Sequence, residues 1–159
     1  HDHIEGINYL GRLPYADTSR VGIWGWSGGG YATALALTKS AEYFDVGVAV
    51  ASVTDWRLYD TAYTERYMGI LSENAAGYDS ASVFSYIDRF NGKLLLIHGT
   101  GDDNVHSQNS IQLVNKFIKE GKQIDTMFYP SRNHGIYGGN ASFHLRKLMT
   151  KYFLEYLGN

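Results

Sequence analysis

The 159-residue chain contains no cysteine and only two prolines, Pro14 and Pro130. Without cysteine there is no disulfide, no thiolate metal site and no cysteine nucleophile, and the redox compartment leaves no mark. Linkers rich in Pro, Gly and Ser are missing too, as are internal repeats and low-complexity runs, so the length reads as one domain. No apolar run approaches the roughly 20 residues of a membrane span. Fourteen basic residues stand against sixteen acidic ones, a formal charge of −2. With no basic stripe, nucleic acid and anionic membrane surfaces are excluded as electrostatic partners. Nor does an initiator methionine precede His1-Asp2-His3, which do not form a signal peptide. The chain is therefore expected to begin inside a longer protein.

What is present is a hydrophobic fraction of 44% with 19% charged residues, enough to build a core. Eighteen glycines, thirteen tyrosines and three tryptophans are the surplus. Glycine in such number points to tight turns near a site, and tyrosine to a lined cleft or an interface.

Hydrophobic period switches repeatedly between strand-like and helix-like, the mark of an α/β chain. Ile4, Ile7 and Leu10 predict the end of an amphipathic helix, stopped near Gly11 and Pro14. Arg20 to Gly25, Val46 to Ala51, Leu94 to Ile97 and Ile124 to Tyr129 read as short buried strands. A helix is expected after the glycine cluster, through Tyr31 to Lys39. Another carries Ile111, Val114, Phe117 and Ile118 as its buried face and stops at Gly121. The last presents Leu145, Leu148, Met149, Tyr152, Phe153 and Tyr156 on one broad face. Only Ser52 to Phe90 breaks the rhythm, as an aromatic-rich and mostly helical insertion. The alternation predicts a parallel sheet with crossover helices.

Gly25-Trp26-Ser27-Gly28-Gly29 fits G-x-S-x-G, with a strand before it and a helix after it. On such a turn the serine hydroxyl is lifted clear of the sheet. The Gly28 N–H, at the helix N-terminus, points where an oxyanion would form. A serine nucleophile needs a base and a group to orient the base. The third strand ends in His98-Gly99-Thr100-Gly101-Asp102-Asp103-Asn104, and the fourth runs into Pro130-Ser131-Arg132-Asn133-His134-Gly135. Ser27, an aspartate and His134 thus follow one another in the Ser–acid–His order, each just past a strand. Asp102 and Asp103 both qualify as the acid, and either could equally serve as a helix cap. His98, at the end of a buried strand, reads as a hydrogen-bonded core residue. His106 falls in the first helical turn beside the acid loop, and His144 on the surface of the last helix. His1 and His3 flank Asp2, but nothing completes a metal site with them, and no metal or organic cofactor is expected.

Three stretches carry a resemblance: Ile23-Trp24-Gly25-Trp26-Ser27, the segment from Tyr59-Asp60-Thr61-Ala62 through Tyr63-Thr64-Glu65-Arg66-Tyr67-Met68-Gly69, and Leu95 through His106. Together they resemble the catalytic domain of the dipeptidyl-peptidase IV branch of the prolyl oligopeptidase family. The likeness extends over essentially the whole chain, and Y-x-E-R-Y-M-G is its most specific part. It implies an α/β-hydrolase fold, of which this chain is the C-terminal half, and release of N-terminal dipeptides after Pro or Ala. It matches Ser27 to the nucleophile, Asp102 to the triad acid and His134 to the base. It also matches Val53, Trp56, Tyr59, Tyr63 and Val105 to the pocket for the residue before the scissile bond, and Asn104 to a contact with a substrate carbonyl. By spacing alone, Trp56, Tyr59 and Tyr63 share one helical face, where core packing is the ordinary role.

Two departures from the family pattern stand out. Gly28 replaces a usual tyrosine, which keeps the backbone N–H but removes an aromatic wall. The upstream β-propeller, the first hydrolase strands and a second, tyrosine oxyanion donor have no counterpart in these residues. An apolar sheet edge is therefore expected, covered by another copy or by the rest of the same protein. An esterase or acyl-peptide hydrolase on the same scaffold is the rival activity, and an inert self-associating fragment the rival role. A peptide substrate and a periplasmic or secreted location complete what the resemblance implies.

Overall fold

The computed structural model describes residues 2–158. Helix α1 (Asp2–Leu10) leads into strand β1 (Gly22–Trp26), helix α2 (Gly28–Lys39) and strand β2 (Val46–Val50). A 3₁₀ turn (Trp56–Leu58), helices α3 (Thr61–Met68) and α4 (Ala75–Ala81) and a second 3₁₀ stretch (Val83–Arg89) follow. Strand β3 (Lys93–Gly99), helix α5 (Gln108–Lys119), strand β4 (Asp125–Tyr129) and helix α6 (Ala141–Leu157) complete the chain.

The four strands lie in sequence order and every pairing is parallel. A parallel sheet requires both faces to be covered, and strand periodicity divides the apolar runs between them. Val46, Val48, Val50, Leu95 and Ile97 pack with Leu145, Met149 and Tyr152 of α6. Ala49, Leu94 and Leu96, of opposite parity, pack with Ala34 and Leu37 of α2 and Leu113 and Phe117 of α5. The crossover helices therefore line one face, and α6, which follows the last strand, closes the other. All four loops at the carboxyl ends of the strands open on the same side of the sheet.

Helix α5 differs from its sequence pattern in rotation. Ile111 and Ile118 are 56% and 68% exposed, whereas Asn109, Ser110, Leu113 and Phe117 are buried. The helix turns two polar residues inward because both have partners there. Asn109 Oδ1 accepts from the Thr54 N–H at 3.0 Å, and its Nδ2 donates to the carbonyls of Leu58 and His106 at 3.2 and 3.1 Å. Ser110 Oγ lies 2.7 Å from His98 Nδ1. Satisfied buried polar groups thus outweigh two isoleucines in setting the face.

The turn from β1 to α2 is tight, and α2 begins inside the glycine cluster rather than after it. Ser27 is the single residue between the elements, at φ 58° and ψ −118°. Its N–H donates to the Val50 carbonyl at 2.8 Å, pinning the turn to the end of β2. A Cβ on Gly25 would stand 2.1 Å from the Gly29 carbonyl oxygen, and one on Gly30 would stand 2.8 Å from that of Val50. At Gly28 and Gly29 a Cβ would meet nothing within 4 Å. The steric demand expected of the whole cluster thus falls on Gly25 and Gly30 alone.

Two substitution pairs test this packing in thermal and urea denaturation of the chain. Phe117→Ala should cost about 3–5 kcal/mol, while Ile118→Lys should change stability by less than about 0.5 kcal/mol. Gly25→Ala should destabilise by more than about 3 kcal/mol, whereas Gly28→Ala should be neutral or stabilise the helix by up to about 1 kcal/mol.

Candidate active site

Ser27 caps α2 by position only, for its side chain makes no hydrogen bond to the helix it precedes. The hydroxyl is partly exposed and uncommitted. Beside it the Gly28 N–H, in the first helical turn, has no carbonyl four residues back to bond, and it carries the positive end of the helix dipole.

Asp102 lies in the loop after β3 and is buried. Its Oδ1 accepts from the N–H groups of Asn104 and Val105, both at 3.0 Å. Its Oδ2 faces His134 Nδ1 at 2.8 Å. A carboxylate can only accept, so the proton of this bond sits on His134 Nδ1 and the lone pair remains on Nε2. Asp103, equal to Asp102 in the sequence pattern, is exposed.

The loop carrying His134 is fixed to its neighbours rather than free. Thr100 N–H donates to the Tyr129 carbonyl at 3.0 Å, Gly101 N–H to that of Arg132 at 3.0 Å, and Ser131 N–H to Thr100 Oγ1 at 2.9 Å. Ser131 and Ile136 take positive φ values of 55° and 51°. The second is unusual for a β-branched residue, and burial of the Ile136 side chain against α6 holds it there. From the other side, Trp26 Nε1 donates to the His134 carbonyl at 2.9 Å. The residue before Ser27 thus grips the backbone of His134. Among the described residues no hydrogen bond joins Ser27 Oγ to His134, a contact that commonly tightens only when substrate is bound.

Beyond Ser27 lies an aromatic wall. Trp56 stacks on Tyr63 with ring centroids 5.7 Å apart, and Tyr59 meets both rings edge-on at 6.1 and 5.5 Å. These residues do not share a helix: Trp56 opens the 3₁₀ turn, Tyr59 is extended after it, and Tyr63 lies in α3. Tyr63 is 46% exposed, so the cluster forms a surface rather than a core. Tyr59 donates its hydroxyl proton to Asn104 Oδ1 at 2.9 Å, joining the wall to the Asp102 loop. Val53 and Val105 are buried in the loops after β2 and β3. Tyr31 of α2 abuts Trp56 edge-on at 5.0 Å and donates to the Ala81 carbonyl at 2.7 Å.

The remaining histidines fall apart spatially. His98 is fully buried, with Nε2 at 2.8 Å from the Val105 carbonyl and 3.2 Å from Asp102 Oδ2. Burial holds its pKa below the ordinary histidine value, although the Val105 carbonyl and Asp102 pull the other way. His106 is exposed, and His144 is exposed with its Nδ1 at 2.8 Å from the Tyr129 hydroxyl. His1 of the N-terminal His-Asp-His cluster lies outside the described residues. Among the described residues no group of three or more His, Cys, Asp and Glu gathers as a metal would require. Among the described residues no helix is long and apolar enough to cross a membrane.

Sequence reasoning missed Trp26 and Asn109. One orients the His134 backbone, and the other ties the aromatic wall to α5. The only signal for Asn109 was a polar residue one helical turn before Leu113.

Comparison with known proteins places this arrangement. The family profile described as the prolyl oligopeptidase family matches residues 1–159. A probable dipeptidyl-aminopeptidase B from Arthroderma otae is 44% identical over 144 residues, which cover 89% of this chain and 16% of that protein. A probable dipeptidyl peptidase 4 from Aspergillus clavatus is 39% identical over 160 residues, 97% of this chain and 21% of the relative. The crystal structure of Porphyromonas gingivalis dipeptidyl peptidase 4 superposes with a TM-score of 0.94 at 41% identity, over 98% of this chain and 22% of that one. The chain therefore spans between 16% and 22% of the length of these relatives. With its α/β-hydrolase sheet matched along nearly its whole length, the chain belongs to the prolyl oligopeptidase family, in the dipeptidyl-peptidase IV branch.

Proposed function

We propose that the protein carrying this chain is a serine peptidase that releases N-terminal dipeptides, with Ser27 as nucleophile, His134 as base and Asp102 as the acid that orients it. The observation that carries this assignment is the 2.8 Å bond from His134 Nδ1–H to the buried Asp102 carboxylate, which leaves His134 Nε2 free to accept a proton. The relatives' names, dipeptidyl-aminopeptidase and dipeptidyl peptidase, supply the reaction class.

In the mechanism, Ser27 Oγ attacks the scissile carbonyl while its proton passes to His134 Nε2. Asp102 stabilises the imidazolium, and the Gly28 N–H donates to the oxyanion of the tetrahedral intermediate. Collapse breaks the C–N bond, and His134 returns the proton to the leaving amine. Water, deprotonated by the same histidine, then hydrolyses the acyl-enzyme. Trp56, Tyr59 and Tyr63, with Val53 and Val105, form the pocket for the residue before the scissile bond. Flat aromatic faces suit a proline ring, and a shallow site also admits alanine. Asn104, fixed by Tyr59, is placed to donate its amide to a substrate carbonyl.

Residues 1–159 are then the C-terminal portion of a catalytic domain, with a β-propeller and the first hydrolase strands upstream. The 16–22% span of the relatives supports this. So does the edge position of β1, which among the described residues pairs only with β2 and leaves Trp24 52% exposed. The covering strand belongs to the same protein in the intact enzyme, and to a second copy when the fragment is alone.

In the full-length protein, Ser27→Ala should lower kcat on Xaa-Pro amides by about 10⁴-fold or more with KM little changed. Retained amidase activity, or turnover of short acyl esters with amides ignored, would overturn the assignment. The 159-residue chain alone should be slower than the full-length enzyme by at least about 10²–10³, for want of a second oxyanion donor. It should also scatter light as a dimer or larger, and a monomer of 17.8 kDa at high concentration would count against edge pairing.

A further inference from the structure

The buried histidine at the end of β3 is not a passive core residue. His98 Nε2 lies 2.8 Å from the Val105 carbonyl, which can only accept, so that nitrogen carries the proton. His98 Nδ1 is then a lone pair, and the Ser110 hydroxyl at 2.7 Å donates to it. Burial keeps the ring neutral. The same Nε2–H, aimed at the Val105 carbonyl, also leaves Nε2 only 3.2 Å from Asp102 Oδ2, a close electrostatic contact rather than a second aligned hydrogen bond. That oxygen receives His134 Nδ1–H at 2.8 Å.

We propose that His98 is a positioning residue for the catalytic acid: its Nε2–H, locked in direction by Ser110 and Val105, holds Asp102 Oδ2 in the orientation that receives His134. The proposal rests on the roles assigned above to Asp102 and His134. Both carboxylate oxygens are then held, Oδ1 by hydrogen bonds from the N–H groups of Asn104 and Val105, and Oδ2 by the bond from His134 and the polar edge of His98 at 3.2 Å. Rotation about the Cβ–Cγ bond would break bonds at both ends. The neutrality of the clamp matters to the chemistry. A lysine or arginine there would offset the negative charge that must stabilise an imidazolium at His134. A neutral N–H orients the carboxylate and leaves that charge intact. Ser110 sits on the face of α5 that turned inward against the apolar pattern, which accounts for a buried serine in that position.

The test is kinetic, in the full-length peptidase on a dipeptide amide. His98→Leu should lower kcat by about 10-fold with KM within about twofold, the scale of one lost polar contact to a charged group. The decisive comparison is His98→Gln with His98→Asn. A glutamine amide nitrogen reaches the place of Nε2, whereas an asparagine amide reaches only that of Nδ1. His98→Gln should keep kcat within about threefold of wild type, and His98→Asn should fall with the leucine variant, at matched melting temperatures. This comparison stands even if the leucine variant does not fold. Equal kcat for the Gln and Asn variants, or a wild-type kcat for His98→Leu, would overturn the positioning role. Asp102→Asn and His134→Gln run alongside separate the two levels. If both stay active, the triad assignment itself fails; if both are inactive while His98→Leu is not, only the role of His98 fails.

Discussion

A carboxylate buried at the end of a parallel sheet must be surrounded by donors, and Asp102 meets that requirement with groups from separate parts of the chain. The N–H groups of Asn104 and Val105 come from its own loop, His134 from the loop after β4, and His98 from the end of β3. An unpaired charge at that depth would cost several kcal/mol. Because the donors come from separate segments, satisfying one side chain draws the acid loop, the base loop and β3 together. The bond from His134 that helps solvate that charge also fixes the orientation of the imidazole.

The same economy extends outward. Trp26 precedes the serine and holds the His134 carbonyl, so a shift in the turn after β1 is transmitted to the base. Tyr59 bonds Asn104, so the aromatic wall moves with the acid loop. Asn109 bonds the loop after β2, the carbonyl of Leu58 and that of His106. Apart from the local Asn109–His106 bond, each contact joins segments from different strand ends, which is where a doubly covered parallel sheet gathers its chemistry.

Much of this was legible before any coordinates. The two central strands followed from apolar runs, because β2 and β3 are buried on both faces and have little room for polar residues, while the half-exposed edge strands β1 and β4 were marked by the turn chemistry that bounds them. Ser27 stood out because a serine between a strand and a helix, flanked by glycines, has few other uses. The pattern was less informative where polar residues point inward. Ile111 and Ile118 misled about the face of α5, since periodicity counts apolar side chains and cannot weigh the partners waiting for Asn109 and Ser110. Trp56, Tyr59 and Tyr63 lay at helical spacing, yet a 3₁₀ turn and an extended residue bring their rings together instead.

The amino-acid sequence by itself determined the order of elements and the loops that carry Ser27, the two aspartates and His134, because these depend on local period and turn chemistry. Spacing leaves Asp102 and Asp103 equal, and the tertiary structure separates their surroundings: Asp102 is buried against His134 Nδ1, whereas Asp103 is exposed. The tertiary structure also decided which glycines of the cluster are required, because a missing Cβ matters only where another backbone approaches. And it alone showed that His98 reaches the same carboxylate oxygen as His134, a meeting of residues thirty-six positions apart that no spacing rule encodes.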